Sequence, residues 1–282
     1  MSKESYTSWA YNLTENSFVA TPPTISNLPA GYYQVFPDRS NKPCANLIKI
    51  KQDPVCYFDN GPFKNVFEEV ETFWSSEDKY TKFGMSFKRG IIFHGKPGCG
   101  KTGLVHSLIK QHIENDGLVI RYEHYVDVIS FAPALSSLEK NRRILMVIED
   151  LDGICRDPED EEDLLSIMDG ANSEFSNKIL WIATTNNLDK IPHRIRSRPS
   201  RFDTCIEIPL PSKEVRLEYI NFISSDFKEF FTEEFKEELV EKSHGFSLAG
   251  LKEVILSVAV YNKTLDDSIE KIKNLQKEQE DE

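Results

Sequence analysis

The chain has 282 residues, 39% hydrophobic and 28% charged, the balance of a globular protein with room for one large domain or two modest ones. Its 46 acidic and 34 basic side chains give a formal charge of −12, which argues against nucleic acid or an anionic membrane as an electrostatically attracted partner. The five cysteines lack any Cys-x-x-Cys spacing, no apolar stretch follows Met1, and the longest aliphatic run is that at 144–148; these features speak against a disulfide framework, a secretory leader and membrane insertion, and for a reducing, cytoplasmic setting.

Residues 1–60 read as an accessory region rich in Pro, Asn, Ser and Tyr, β-rich and partly irregular, with strand-like runs at 32–36, 47–50 and 55–58. Val66, Phe67, Val70, Phe73 and Trp74 then fall on one helical face. An apolar strand at 90–93 leads into Gly95-Lys-Pro-Gly-Cys-Gly-Lys-Thr102, and a helical pattern follows through Leu104, Val105, Leu108 and Ile109. Further strand-like runs at 118–122, 144–148, 179–183 and 205–208 alternate with helical patterns. This predicts an α/β domain over 61–209, a parallel sheet with helices on both faces. After Pro211 only helical patterns remain: from Ser212 to about 224, over 232–243, from Ser247, and over 265–275, ending in a charged tail. Residues 210–282 are therefore predicted to be a small all-helical lid.

The 95–102 segment matches G-x-x-x-x-G-K-[ST], the phosphate-binding P-loop. Gly95, Gly98 and Gly100 allow tight turns that aim backbone N–H groups at phosphate oxygens, with Pro97, Cys99 and Gly103 completing the loop. The helix beginning there adds its positive end. Lys101 can reach β- and γ-phosphates and Thr102 can ligate Mg²⁺, so the expected cofactors are ATP, or a similar nucleotide, and Mg²⁺. The apolar run at 144–148 ends in Glu149-Asp150-Leu151-Asp152. In open α/β sheets ligands sit at the carboxyl ends of strands. One of these acids can hold Mg²⁺, in part through water, and another can orient or deprotonate an attacking water.

Taken with the P-loop, these residues resemble the AAA+ ATPases, and within them the AAA subfamily, over about residues 60–262. Ile182-Ala-Thr-Thr-Asn-Asn187 is similar to the family's strand-end sensor, with Asn186 at the position that contacts the γ-phosphate or the water. Arg198-Pro-Ser-Arg201-Phe-Asp203 is similar to the R-P-G-R-F-D element, whose two arginines project into a neighbouring subunit's site. Gly245-Phe-Ser247-Leu-Ala249 looks like the lid segment that flanks the adenine. The resemblance implies a homo-oligomeric ring, six subunits in the family pattern, that hydrolyses ATP and remodels a protein partner. Its nearest flavour is that of the small stand-alone ATPases of phages and bacteria, which for a phage protein means the host cytoplasm.

The chain departs from the pattern at two places. Most members read Asp-Glu where this chain reads Glu149-Asp150, so the shorter acid holds the catalytic-base position and the longer one the metal position. One methylene moves a carboxylate by roughly 1.5 Å, and misplacement of about 1 Å can cost ~10²-fold in rate. Members that thread substrate carry an aromatic-hydrophobic-Gly loop, whereas here Asp127 follows Tyr125-Val126. Both departures favour a second reading, a slow or non-hydrolysing nucleotide-dependent switch or scaffold. A DNA-associated loader is a third, opposed by the acidic charge and by the R-P-x-R-F-D type of element.

Overall fold

The computed structural model describes residues 8–12, 17–21, 25–50, 62–169, 178–196, 201–224 and 231–280. In chain order the elements are β1 (Ser8–Asn12), β2 (Ser17–Thr21), β3 (Gly31–Pro37), β4 (Pro43–Leu47), α1 (Pro62–Ser75), α2 (Glu77–Lys82), β5 (Lys88–His94), α3 (Lys101–Glu114), β6 (Leu118–Arg121), α4 (Tyr125–Leu138), β7 (Arg143–Ile148), α5 (Leu151–Ile154), α6 (Pro158–Asp169), β8 (Lys178–Thr185), α7 (His193–Arg196), β9 (Phe202–Glu207), α8 (Lys213–Ser224), α9 (Glu233–Lys242), α10 (Leu248–Ala259) and α11 (Leu265–Glu280).

Seven strands form one sheet in the order β4-β3-β6-β7-β8-β5-β9, parallel throughout except for the antiparallel edge pair β3–β4. Strand side chains alternate between faces. In β7, Ile144, Met146 and Ile148 enter one core and Leu145 and Val147 the other. In β8, Ile179, Trp181 and Ala183 oppose Leu180 and Ile182 in the same way. Because both faces are covered, the strands read as unbroken apolar runs. Helices α4 to α7 cover one face, through Val128, Phe131, Leu135, Leu164 and Ile195. Helices α1 and α3 cover the other, through Val66, Val70, Phe73, Leu104, Val105 and Leu108.

The N-terminal region expected as an accessory contributes β3 and β4 to this sheet. Its anchor is the buried carboxylate of Glu139, which accepts from the Leu28 N–H at 2.6 Å and the Asn27 amide at 3.2 Å. The hairpin turn is organised by Asp38, whose Oδ1 accepts from the Ser40 and Lys42 N–H groups, each at 2.8 Å. That turn sets the register Phe36↔Cys44, so β4 occupies 43–47 and not the predicted 47–50. The expected run at 55–58 lies outside the described residues.

The lid has its own core, made by Ile220, Leu239, Phe246, Leu251, Ile255 and Ile272. Side-chain caps open its helices: Ser212 Oγ accepts from Val215 N–H, Thr232 Oγ1 from Phe235 N–H, and Ser247 Oγ from Gly250 N–H. Buried Arg216 fastens the lid at the hinge, donating to the carbonyls of Pro211 and Val240. No helix of the described residues is long and apolar enough to cross a membrane.

Candidate functional site

The carboxyl ends of β5, β7 and β8 open on one edge of the sheet, where parallel α/β sheets place their ligands. Residues 95–100 lead from β5 into α3. Gly98 needs its missing side chain: at φ 76° a Cβ would lie 2.9 Å from Ser247 Oγ and 2.8 Å from Ala249 Cβ. Here the lid closes onto the loop, and the Ala249 N–H donates to the Gly98 carbonyl at 3.2 Å. A cavity of about 470 Å³ lies between them. Pro97, Gly98, Gly100, Lys101, Thr102, Gly103, Asp150 and Asn186, all singled out in the sequence, line it.

Lys101 is buried and its ammonium is shared among three acceptors, the carbonyls of Gly95 at 2.7 Å and Lys96 at 3.1 Å and Asn186 Oδ1 at 2.8 Å. Burial lowers its pKa, against the attraction of nearby groups that include Asp150 and Asp152. Cys99 is buried, and burial pushes its thiol pKa up, against the pull of Lys101 and Lys96. It behaves as a small packed side chain and not as an activated thiolate.

The acids are fixed by the neighbouring strand. Asp150 adopts a left-handed conformation, φ 54° and ψ 57°, which Asp tolerates better than most residues. Its N–H donates to Thr184 Oγ1 at 3.2 Å, and Thr185 Oγ1 lies 2.9 Å from Asp152 Oδ1. Glu149 stands just outside the cavity lining, with Oε1 4.0 Å from His106 Nε2 one turn along α3. Thr102, Glu149 and Asp150 offer hard oxygen donors of the kind Mg²⁺ takes together with phosphate.

Ser247 reaches the site as the cap of α10, beside Gly98. Gly245 is exposed and is not part of the lining. Arg198 lies outside the described residues. The resemblance directs Arg201 towards a neighbouring subunit; in the chain its guanidinium donates to Asp169 and to the Arg194 carbonyl, and the residue is 4% exposed. Tyr125 and Val126 form the first turn of α4, Tyr125 half-buried against the core and Val126 exposed.

The sequence reading missed Phe63, His106, Tyr219, Ile223 and Lys252 in the lining, whereas Leu248 and Ala249 belong to the lid segment it singled out. The spacings Tyr219–Ile223 and Leu248–Lys252 each mark one face of a helix, but only the lid's docking shows which face meets the loop. A larger cavity, about 630 Å³, lies between α1 and α3 near Trp74, His112 and Arg143. It is away from the P-loop and contains none of the strand-end acids.

Residues 91–210 match the model of the ATPase family associated with various cellular activities (AAA). The chain is 30% identical over 239 residues to the ATP-dependent zinc metalloprotease FtsH 2 of Thermoanaerobacter sp. (strain X514), covering 76% of this chain and 46% of that protein. It is 26% identical over 240 residues to the human ATPase family gene 2 protein homolog A, covering 76% of this chain and 26% of that protein. With the proteasome-activating nucleotidase of Aeropyrum pernix it shares 26% identity over 283 residues, covering 89% of this chain and 67% of that protein. Of the first two relatives the chain thus spans less than half the length. The family match runs from the P-loop strand to the hinge, the stretch that carries all the strand-end chemistry, and it places this chain in the AAA family of ATPases.

Proposed function

We propose that this chain binds Mg·ATP between the P-loop and the lid, hydrolyses it, and uses the cycle as one subunit of a ring that remodels a protein partner. The observation that carries the reading is the meeting of Lys101, Asn186 and Asp150 at one cavity whose far wall is the lid. Phe63, Tyr219, Ile223 and Leu248 supply an apolar wall for the base. The P-loop N–H groups and Lys101 take the phosphates. Thr102 and Glu149 hold Mg²⁺, whose role is to neutralise charge on the β- and γ-phosphates. Asp150 orients or deprotonates the attacking water and Asn186 steadies it.

A ring, six subunits by the family resemblance, supplies the neighbour that the arginine pair Arg198 and Arg201 requires. The names of two relatives, an ATP-dependent zinc metalloprotease and a proteasome-activating nucleotidase, support a protein as substrate. No His-Glu-x-x-His occurs in this chain, so the metalloprotease part of that relative has no counterpart here. The acidic charge and the absence of a membrane-crossing helix among the described residues support a soluble, cytoplasmic setting.

The second reading, a slow nucleotide-dependent switch, is favoured by the Glu149-Asp150 order and by the short Asp150 side chain at a strand end. Phosphate release separates the two: a remodelling motor turns over well above about one ATP per minute, a switch well below. Asp150→Asn should bind Mg·ATP at parent affinity and release no phosphate, and turnover at the parent rate would remove the role given to Asp150. Sedimentation with Mg·ATP tests the ring, and a monomer with full activity would eliminate it.

A further inference from the structure

The cleft between α1 and α3, about 630 Å³ in volume, falls within the size range of small-molecule sites. It lies at the opposite end of these helices from the nucleotide cavity. Phe63 and Lys101 stand in the first turns of α1 and α3 and line the nucleotide cavity; Trp74 and His112 stand in the last turns and line the cleft. Along α3 the two places are roughly 16 Å apart by helix rise. The floor of the cleft is apolar and buried, made by Val70 and Trp74 of α1, Leu108 of α3, Leu145 of β7 and Ile182 of β8, so the cleft reaches down to the sheet. His112 stacks on Trp74 with ring centroids 5.1 Å apart and planes at 28°. Burial, foremost, brings its pKa down to about 4, so at neutral pH it presents an uncharged ring.

Arg143, the first residue of β7, brings a cation to the cleft and is half-buried. Its Cζ lies 5.4 Å from the Trp74 ring centroid, and its Nη2 donates to the Trp74 carbonyl at 3.2 Å. These two contacts hold the guanidinium in place. Among the described residues no carboxylate pairs with it, and its other N–H groups have no acceptor. A fixed, half-buried guanidinium without a counter-charge favours an anion, and its planar fork suits a carboxylate. The exposed carboxylates of Glu68 and Glu71 line the same cleft, and they disfavour a second negative charge. We propose that the cleft binds a small apolar monocarboxylate, its charged end on Arg143 and its apolar body against Trp74, Leu108 and Ile182. The proposal does not rest on the ATPase reading.

Calorimetric titration of the full chain with 4-phenylbutyrate, its uncharged amide and phenyl phosphate tests the site. The acid should bind with a Kd of about 1 mM or tighter. The amide should bind at least about tenfold more weakly, because the charge that Arg143 meets is gone. Phenyl phosphate, largely a dianion at neutral pH, should also bind more weakly than the acid, and Glu68→Gln with Glu71→Gln should narrow that gap. Equal affinity for acid and amide, phosphate binding tighter than the acid, or no binding of the acid at about 10 mM overturns the proposal.

Three variants place the bound acid. Arg143→Met should lose the preference for acid over amide while keeping the amide's affinity. Gln111→Trp changes a half-buried residue that lines the cleft without belonging to its buried floor, and it should block both compounds; it localises the site even if Arg143→Met fails to fold, which scanning calorimetry shows. Lys101→Met, which removes the P-loop cation, should bind the acid as the parent does. Loss of binding in Lys101→Met would move the acid to the P-loop, and parent affinity in Gln111→Trp would move it out of the cleft; either result overturns the proposal.

Discussion

Lys101→Met is expected not to lower the thermal stability of the nucleotide-free protein, while removing most of the stabilisation that ATP confers. Burial holds the Lys101 pKa below its ordinary value. A cation with a lower pKa in the folded state binds its proton less tightly there. At neutral pH its charge therefore counts against folding, and the cost lessens only as pH rises through the folded pKa. The bonds to Gly95, Lys96 and Asn186 offset part of that cost, and methionine keeps the apolar stem. With ATP bound the balance reverses. A charge-assisted hydrogen bond is worth about 1.5–3 kcal/mol, so the variant should bind ATP roughly 10- to 150-fold more weakly. At free ATP near 100 times Kd the parent gains about 2.7 kcal/mol, a Tm rise of roughly 5–10 °C for a chain of this size. A variant with 100-fold weaker binding gains about 0.4 kcal/mol at the same concentration, roughly 1 °C. Scanning calorimetry with and without Mg·ATP measures both quantities. A full ATP-dependent shift in the variant, or a fall of several degrees without nucleotide, would refute the assignment.

Restoring the usual family order, Glu149→Asp with Asp150→Glu, should raise phosphate release if the shorter acid limits catalysis, by up to ~10²-fold; an unchanged or lower rate shows that the backbone of this chain already compensates. Gly98→Ala should weaken ATP binding in a titration by at least about tenfold, because φ 76° strains the alanine and its Cβ meets Ser247 and Ala249 at the lid contact. Glu139→Ala should destabilise the fold by about 2–4 kcal/mol in denaturant and open residues 25–31 to protease, since it removes the acceptor for Leu28 and Asn27. Burial, and next the charge of Arg143, bring the His112 pKa down to about 4, although its bond with the Arg143 carbonyl opposes them. A depressed histidine pKa costs stability as pH falls from the unfolded value near 6.5 toward 4, by about 3 kcal/mol if the whole window is crossed. His112→Asn should flatten that part of the Tm–pH curve, and an unchanged slope would show that other groups set it.

Much of the cavity lining was legible in the sequence because its residues lie in short, local patterns. The P-loop is eight consecutive residues, the acids close an apolar run, and Ser212 and Ser247 sit where helices need caps. The sheet was legible because both faces of β5, β7 and β8 are buried, so their strands carry no polar alternation to confuse them with a surface element. What escaped depends on distant partners. Nothing near Leu28 indicates that Glu139, 111 residues away, will hold it and bring β3 to the sheet edge. Nothing in Arg198-x-x-Arg201 indicates that Asp169 will capture the second arginine. The β4 register follows from the Asp38 turn, which a count of apolar residues cannot see.

The lid and the sheet domain have separate apolar cores; among the described residues Val215, Tyr219 and Leu248 reach from the lid to the sheet's core, and the Ala249–Gly98 hydrogen bond ties the two. The cavity walls come from both bodies, Lys101, Asp150 and Asn186 from one and Tyr219, Ile223 and Lys252 from the other. A ligand filling that cavity would touch both bodies at once. The same ligand would draw on Lys101, whose ammonium donates to Asn186 Oδ1. A molecule in that cavity would thereby meet two places at once, the strand end at Asn186 and the lid contact at Gly98, where the Ala249 N–H donates to the loop.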